Sequence, residues 1–429
     1  MSKTLTAISI MGRIYLEGKA RKVLIVAPTS VVSVWPKEIQ EYAAFDCEVR
    51  VLDGSSKQKV KELHSFTKDK VLKIAVINYE STWRILDELI QWKADLIIAD
   101  ESQRIKSPTA KQSKALHKLG DSVRYKLILS GTPVQNAPLD LWSQYRFLDK
   151  RIFGTSYYSF RARHAIMGGY GKYQVIGYKN MDELIQKTHS VALRVTKEEA
   201  LDLPETTDEI RYCSLEPDSA KLYKRILKDS YVQLEKGEVT AQNLLTKLLR
   251  LSQLTGGFIG ADDGTIKQIS KAKLDALKEI IEDMKDAGKK LVVFARFLPE
   301  INAIKNMLDE MEISYSYITG EVKDRGEEVR KFQEEDGVRV FIAQIQTAGL
   351  GITLHAADTV VFYSLDFNYA NYSQARARIH RIGQKNTCTY IHLIAPGTVD
   401  EKILKALEKK ENIAKQIVDH WRDYFKEEN

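Results

Sequence analysis

The run "ADLIIADE" ends in an acidic pair, Asp100-Glu101. At the carboxyl end of a strand such a pair suits Mg²⁺–nucleotide chemistry: the first carboxylate holds the metal and the second orients the attacking water. The same residue types favour helix starts, so an N-cap is an equal reading of the pair alone. Near the N-terminus, Lys3-Thr4 precedes the apolar helical pattern Leu5, Ala7, Ile8, Ile10, Met11. The dipeptide matches the tail of a phosphate-binding loop, whose Lys reaches terminal phosphates and whose hydroxyl holds Mg²⁺. The glycines that would wrap the phosphate are absent. "LILSGTPVQ" sets Ser130, Gly131 and Thr132 behind another strand, as either a plain turn or a site loop. "QTAGLGIT" brings Gly349 and Gly351, where backbone can come close to a nucleotide or nucleic-acid backbone, or merely turn. "SQARARIHRIGQ" predicts a helix carrying Arg376, Arg378 and Arg381. Arg378 and Arg381 are three apart and share a face, as a solvated stripe or as arginines for a γ-phosphate.

The elements that must position these residues are visible as buried runs. "KVLIVAP", "KIAVINYE", "ADLIIADE" and "YKLILSGTP" are continuously apolar and alternate with helical stretches, the mark of a parallel α/β sheet whose ligands sit at strand carboxyl ends. Residues 151–255 break the pattern with Tyr, Lys and Arg and then helical periodicity, and "TGGFIGADDGT" reads as a linker. Strand runs then resume: "KLVVFARF", "ISYSYITG", "VRVFIAQIQ", "DTVVFYS" and "CTYIHLIAP", followed by an amphipathic helix. The expected organisation is two α/β parallel-sheet lobes: 1–150, a helical insertion and linker 151–265, and 266–429. The 429 residues suffice for two to three domains, and 44% hydrophobic with 29% charged content is that of an ordinary globular chain. No apolar run nears the ~20 residues that cross a bilayer. The sequence shows no signal-peptide pattern, and its isolated Cys47, Cys213 and Cys388 suggest neither a disulfide framework nor a zinc site, so the expectation is cytoplasmic. A net charge of +7 permits a polyanionic partner without demanding one.

In this order the stretches resemble the superfamily-two helicase-like ATPases, and within them the SWI/SNF-type DNA translocases. "VLIVAPTSVVSVWPKEI", with Trp35, Lys37 and Glu38, is similar to the family's motif Ia, and "IAVINYES" to its Ib region. "DESQRIKS" stands at the DEAH-type box, and "SGTPVQNAPLDLW" is a near-complete motif III. "LRVTKEEALDLPE" resembles the segment between lobes; "KLVVFARFLPEINAI", "QTAGLGITLHAADTVVFYS" and "QARARIHRIGQ" fit motifs IV, V and VI, and "LIAPGTVDEKIL" completes the series. There are departures. The Gly-x-Gly-Lys-Thr loop is reduced to Ser2-Lys3-Thr4, without its strand or the adenine-reading glutamine motif. Ser102-Gln103 replaces a small residue and His, and motif V is one residue short. No bromodomain-like, chromodomain-like or zinc module is appended, and the compact insertion resembles bacterial and phage versions.

The resemblance implies two RecA-like lobes across an ATP cleft. Lys3 and Thr4 would hold phosphates and Mg²⁺, Asp100 the Mg²⁺ and Glu101 the water. Arg381, with Arg378 beside it, would act as arginine finger, while Gly351 and Gln384 are carried over as nucleotide contacts. Ser30, Thr132 and Thr347, on the motif Ia, III and V loops, would grip double-stranded DNA through its phosphates, largely independently of sequence. The implied activity is ATP-dependent translocation without strand separation, with protein partners not indicated. The competing class is a helicase-like module that has lost its loop and only clamps DNA or a partner; a nuclease lacks any acidic or His cluster beyond the ATP site. The residues as written are expected to bind ATP poorly, with the sheet edge near 1–10 frayed.

Overall fold

The protein is described by a computed structural model covering residues 3–169, 171, 174–195, 199, 202–235, 241–260, 265–322, 324–350 and 352–419. It divides into two compact units, Met1–Val195 with Lys410–Asn429, and Thr196–Lys409.

The first unit is built on five parallel strands: β1 (Lys22–Ala27), β2 (Cys47–Val51), β3 (Leu72–Asn78), β4 (Leu96–Asp100) and β5 (Tyr125–Leu129), in the order β2-β3-β1-β4-β5. β1 and β4 are buried on nearly every residue because helices cover both faces, which is why they read as unbroken apolar runs. One face is covered by α1 (Lys3–Leu16) and α2 (Val34–Tyr42). Ala7, Ile8 and Met11 of α1 and Trp35 and Ile39 of α2 pack on Val23, Ile25, Leu96 and Ile98. The expected fraying near 1–10 is not what the structure shows: from Lys3 onward the chain is helical and its apolar stripe is seated on the sheet. The chain crosses from β1 out to β2, returns through β3, then leaves to β4 on the other side. The order reverses between β1 and β4, and their carboxyl ends flank the crevice where open α/β sheets take ligands. Beyond the sheet, the hairpin β6 (Ala165–Gly168) and β7 (Gln174–Tyr178) and the helix Met181–His189 remain in this unit. Ile413 and Ala414 pack with Val134, Leu139, Leu141 and Trp142.

The second unit holds six parallel strands in the order β12-β13-β11-β14-β15-β8. Their ranges are β8 (Thr206–Tyr212), β11 (Leu291–Ala295), β12 (Tyr315–Ile318), β13 (Val340–Gln344), β14 (Thr359–Phe362) and β15 (Cys388–Ile394); β9 (Phe258–Gly260) and β10 (Ile266–Gln268) form a small hairpin. Both units thus have the expected α/β parallel-sheet class. The expected divisions at 150 and 265 differ from the two units. Residues 151–195 stay with the first unit, β8 is an edge strand of the second sheet, and residues from Lys410 belong to the first unit. β8 escapes hydrophobic reading because its side chains are mostly exposed. It is held by full-length backbone pairing to β15, from Cys388↔Thr206 to Ile394↔Tyr212, and by the Arg376–Asp208 ion pair. Among the described residues no helix is long and apolar enough to cross a membrane.

Candidate functional site

Asp100 ends β4 and is buried, with each carboxylate oxygen engaged: Trp35 Nε1 donates to Oδ2 at 3.1 Å and the Glu101 amide donates to Oδ1 at 3.0 Å. Tyr79 Oη donates to the Asp100 carbonyl at 2.7 Å, fixing the backbone as well. Burial, and then the neighbouring Glu101 charge, push the Asp100 carboxyl up to about 6, against the opposing pull of Lys3 and the Trp35 indole. A buried carboxylate so reluctant to ionise gains from a cation, and Mg²⁺ is commonly held by one or two carboxylates together with phosphate oxygens. The donor set therefore fits Mg²⁺. Among the described residues no group of three or more His, Cys, Asp or Glu side chains could hold a metal without such outside ligands.

Glu101 follows with φ 51° and ψ 55°, the left-handed region. That conformation costs a non-glycine residue about 1–2 kcal/mol and persists where the surroundings over-determine it. Glu101 precedes the 3₁₀ turn Ser102–Ile105, but its side chain makes no capping hydrogen bond. It is held instead by two donors, Lys3 Nζ to Oε1 at 3.2 Å and Gln103 Nε2 to Oε2 at 2.5 Å. The capping reading of the acidic pair fails here, since Glu101 is held by Lys3 and Gln103 and caps no turn.

Lys3 reaches this point from the first turn of α1, and a Cβ added at Gly131 would lie 3.3 Å from its amine. The Gly131 loop thus lies directly against the lysine amine. The Lys3 and Glu101 side chains are 42% and 28% exposed, so their ion pair is screened and easily exchanged for a stronger anion. Thr4 lies beside Lys3 on the same turn, half-buried. The departure at 103 proves to be a connection. Gln103 is buried, and while its Nε2 holds Glu101, its Oε1 accepts from Ser130 Oγ at 2.7 Å. Ser130 Oγ in turn accepts from the Thr132 amide at 3.0 Å. One hydrogen-bonded chain therefore runs Lys3–Glu101–Gln103–Ser130–Thr132. Ser102 is buried and donates to Gln144 Oε1 at 2.8 Å, locking the turn from behind.

On the same edge of the sheet, Ser30 is exposed in the turn after β1, a turn closed by Val31 N to Pro28 O at 2.8 Å, and Thr132 is half-buried. Trp35, Tyr79 and Gln103 are the site residues that motif reasoning did not assign. Their partners are 65, 21 and 2 positions away in sequence, and only the last pair, with Gln at a family His position, leaves a trace there.

In the second unit the expected helix over Arg376, Arg378 and Arg381 ends at Arg376. Arg378 and Arg381 lie in the turns beyond, where the Leu354 amide takes the Arg378 carbonyl at 2.9 Å and draws the chain out of helix. Their guanidinium groups still converge: Nη1 of each donates to the Ile352 carbonyl at 3.1 Å. Gln384, expected at the nucleotide, is buried, with its amide oxygen bonded within its own turn and its amide nitrogen bonded to a segment 27 residues away. Nε2 donates to Ala357 O at 2.8 Å, and Oε1 accepts from the Lys385 and Asn386 amides at 3.0 and 3.1 Å. Thr347 is likewise buried, and its hydroxyl donates to Gln344 O at 2.6 Å. Gly351 lies outside the described residues.

The sequence model of the SNF2-related domain matches residues 1–256, and that of the helicase conserved C-terminal domain matches residues 272–383. The chain is 29% identical over 413 residues to the putative ATP-dependent helicase/translocase YwqA of Bacillus subtilis, covering 92% of this chain and 43% of that protein. It is 26% identical over 409 residues to the uncharacterized ATP-dependent helicase MG018 of Mycoplasma genitalium, covering 94% and 38%. The chain thus spans about two fifths of the length of these curated relatives. The Danio rerio DNA repair and recombination protein RAD54-like is 27% identical, over 94% of this chain and 60% of its own. Among solved structures, the Sulfolobus solfataricus SWI2/SNF2 ATPase core in complex with dsDNA is 26% identical with a TM-score of 0.42, covering 100% of this chain and 88% of that one.

Proposed function

The chain belongs to the SNF2-related family, and from that premise we propose that it is an ATP hydrolase that couples hydrolysis to movement along double-stranded DNA. The observation that carries the reading is the acidic pair at the sheet's reversal point, with Asp100 buried and oriented and Glu101 held by Lys3 and Gln103. Mg²⁺, when bound, would neutralise charge on the phosphate oxygens of ATP. Asp100, with Thr4 nearby, would hold it. Lys3 would leave Glu101 for the phosphates, since a multiply charged phosphate attracts the amine more strongly than a half-exposed carboxylate does. Glu101, relieved of that partner and still held by Gln103, would then orient the attacking water. Arg381 and Arg378 are proposed to supply guanidinium charge to the transferred phosphoryl group, the step at which such a residue is worth ~10³–10⁵ in rate. Ser30 and the Thr132 loop are proposed to contact DNA phosphates. At Thr347 the contact would come from the loop's amides, because its hydroxyl is already committed. The organisms of the bacterial relatives support a cytoplasmic setting.

The test is Glu101→Gln. It keeps size and hydrogen-bonding reach, and Asp100 still offers its carboxylate, so ATP affinity should stay within about threefold while DNA-stimulated hydrolysis falls by about 10³ or more. Wild-type turnover in this variant would remove Glu101 from the mechanism.

A further inference from the structure

We propose that Trp35 is a positioning residue for Asp100: its indole N–H fixes the carboxylate in the orientation that receives a divalent cation and ties it to the turn carrying Ser30. The inference rests on the reading of Asp100 as metal ligand and adds a residue to it.

Trp35 is 1% exposed, among Val23, Ile25, Ile98 and other apolar side chains. A phenyl or aliphatic group could fill such a place. An indole buried there brings a donor that must find an acceptor, and Nε1 finds Asp100 Oδ2 at 3.1 Å. Oδ1 is taken by the Glu101 amide at 3.0 Å, so the carboxylate plane is pinned at both oxygens, while each keeps lone-pair capacity for a cation. Trp35 also sits on the first turn of α2, which follows directly on the turn bearing Ser30. That turn is stitched by Val31 N and Val32 N to Pro28 O at 2.8 and 3.1 Å and by Val34 N to Val31 O at 2.9 Å. Only four residues of tightly bonded backbone separate Ser30 from Trp35, so a displacement of the turn is carried to the carboxylate. Partners that orient metal ligands in this way typically govern about 10–100-fold in metal affinity.

The experiment uses the full chain labelled with ¹⁵N at its indole nitrogens. Trp35→Phe assigns the Trp35 signal among the five tryptophans and preserves the apolar ring. Asp100→Asn should shift the Trp35 indole resonance and leave Trp83, Trp92 and Trp142 in place. Titration of the wild type with MnCl₂ in the presence of ATP should broaden Trp35 first. Free Mn²⁺ counted by electron paramagnetic resonance should show half-saturation about tenfold or more higher in Trp35→Phe, with the same melting temperature within a few degrees. Unchanged Mn²⁺ half-saturation in that variant, or a Trp35 resonance indifferent to Asp100→Asn, would overturn the proposal and leave Trp35 as packing. If Trp35 responds to Asp100→Asn but Mn²⁺ broadens no indole near the site, the metal reading of Asp100 fails, and the positioning role with it. Should Trp35→Phe fail to fold, the Asp100→Asn shift and the wild-type broadening still decide.

Discussion

Gln103→Leu removes the central link of the chain from Lys3 to Thr132 while keeping most of the buried volume. Two hydrogen bonds are lost, one to the Glu101 carboxylate at 2.5 Å and one from Ser130 Oγ at 2.7 Å. A bond to a charged group contributes about 1.5–3 kcal/mol and a neutral one about 0.5–1.5 kcal/mol. The first loss loosens Glu101, whose left-handed backbone (φ 51°) already favours escape from this geometry. Put into the barrier, it lowers turnover about 10–100-fold. The second loss disconnects the Ser130–Thr132 loop from Glu101, so stimulation by DNA should fall further than basal hydrolysis. Gln103→His separates connection from bulk, because an imidazole with one nitrogen protonated can donate to Glu101 and accept from Ser130 at once. It should retain activity within about threefold. Steady-state ATP hydrolysis with and without duplex DNA measures both quantities. If Gln103→Leu keeps both the rate and its stimulation ratio, the chain is structural and the coupling argument is wrong.

Two further outcomes follow from the same physical chemistry. Because the Asp100 carboxyl sits at about 6, hydrolysis should decline as pH falls through that value. The decline should move to lower pH as Mg²⁺ is raised, since metal and proton compete for one carboxylate; a pH–rate profile at two Mg²⁺ concentrations checks this, and an acid limb insensitive to the metal would refute it. In the second unit, Gly256→Ala should lower the melting temperature by several degrees. Its Cβ would lie 1.9 Å from Glu300 Oε1 and 3.3 Å from the Gln253 carbonyl, and overpacking a buried site costs about 1–3 kcal/mol. Differential scanning calorimetry reads it directly, and an unchanged unfolding profile would contradict the packing there.

The strands read most directly from sequence were those buried on both faces, such as Val23–Ala27 and Leu291–Ala295, whose side chains are uniformly apolar; the edge strands β5 and β12 were read because they too keep apolar residues. β2 and β8 were not legible because charged and polar residues interrupt them (CEVRV and TTDEIRY), and backbone pairing holds them at the sheet edges with little hydrophobic pattern. Asp100, Glu101 and Lys3 were legible because residue type and position after a strand, or at a helix start, already imply chemistry. What surrounds them was not. Trp35, Tyr79 and the Gln103–Ser130 contact depend on where the sheet brings separate loops together. Gln384 and Thr347 illustrate the converse, since a polar side chain in a motif can bond to the turn that it stabilises. The bend at Arg378 was hidden too, because an Ala- and Arg-rich stretch has good helix propensity until the Leu354 amide takes its carbonyl.

β8 carries one more consequence, which concerns synthesis. It is made early in the second unit, yet among the described residues its one neighbour in the sheet is β15; their contact between Glu209 and His392 spans 183 residues. On a ribosome adding about 5–20 residues each second, β8 emerges roughly ten seconds or more before the strand that will pair with it. During that interval its peptide groups are satisfied by water, and its charged residues Asp208, Glu209 and Arg211 discourage pairing with a passing nascent chain. The first unit is in a similar position, since Ile413 and Ala414 join its packing from near the end of the described chain. Such long-range closure slows folding, so the nascent protein should depend on chaperone protection until β15 and the segment bearing Ile413 and Ala414 have left the exit tunnel.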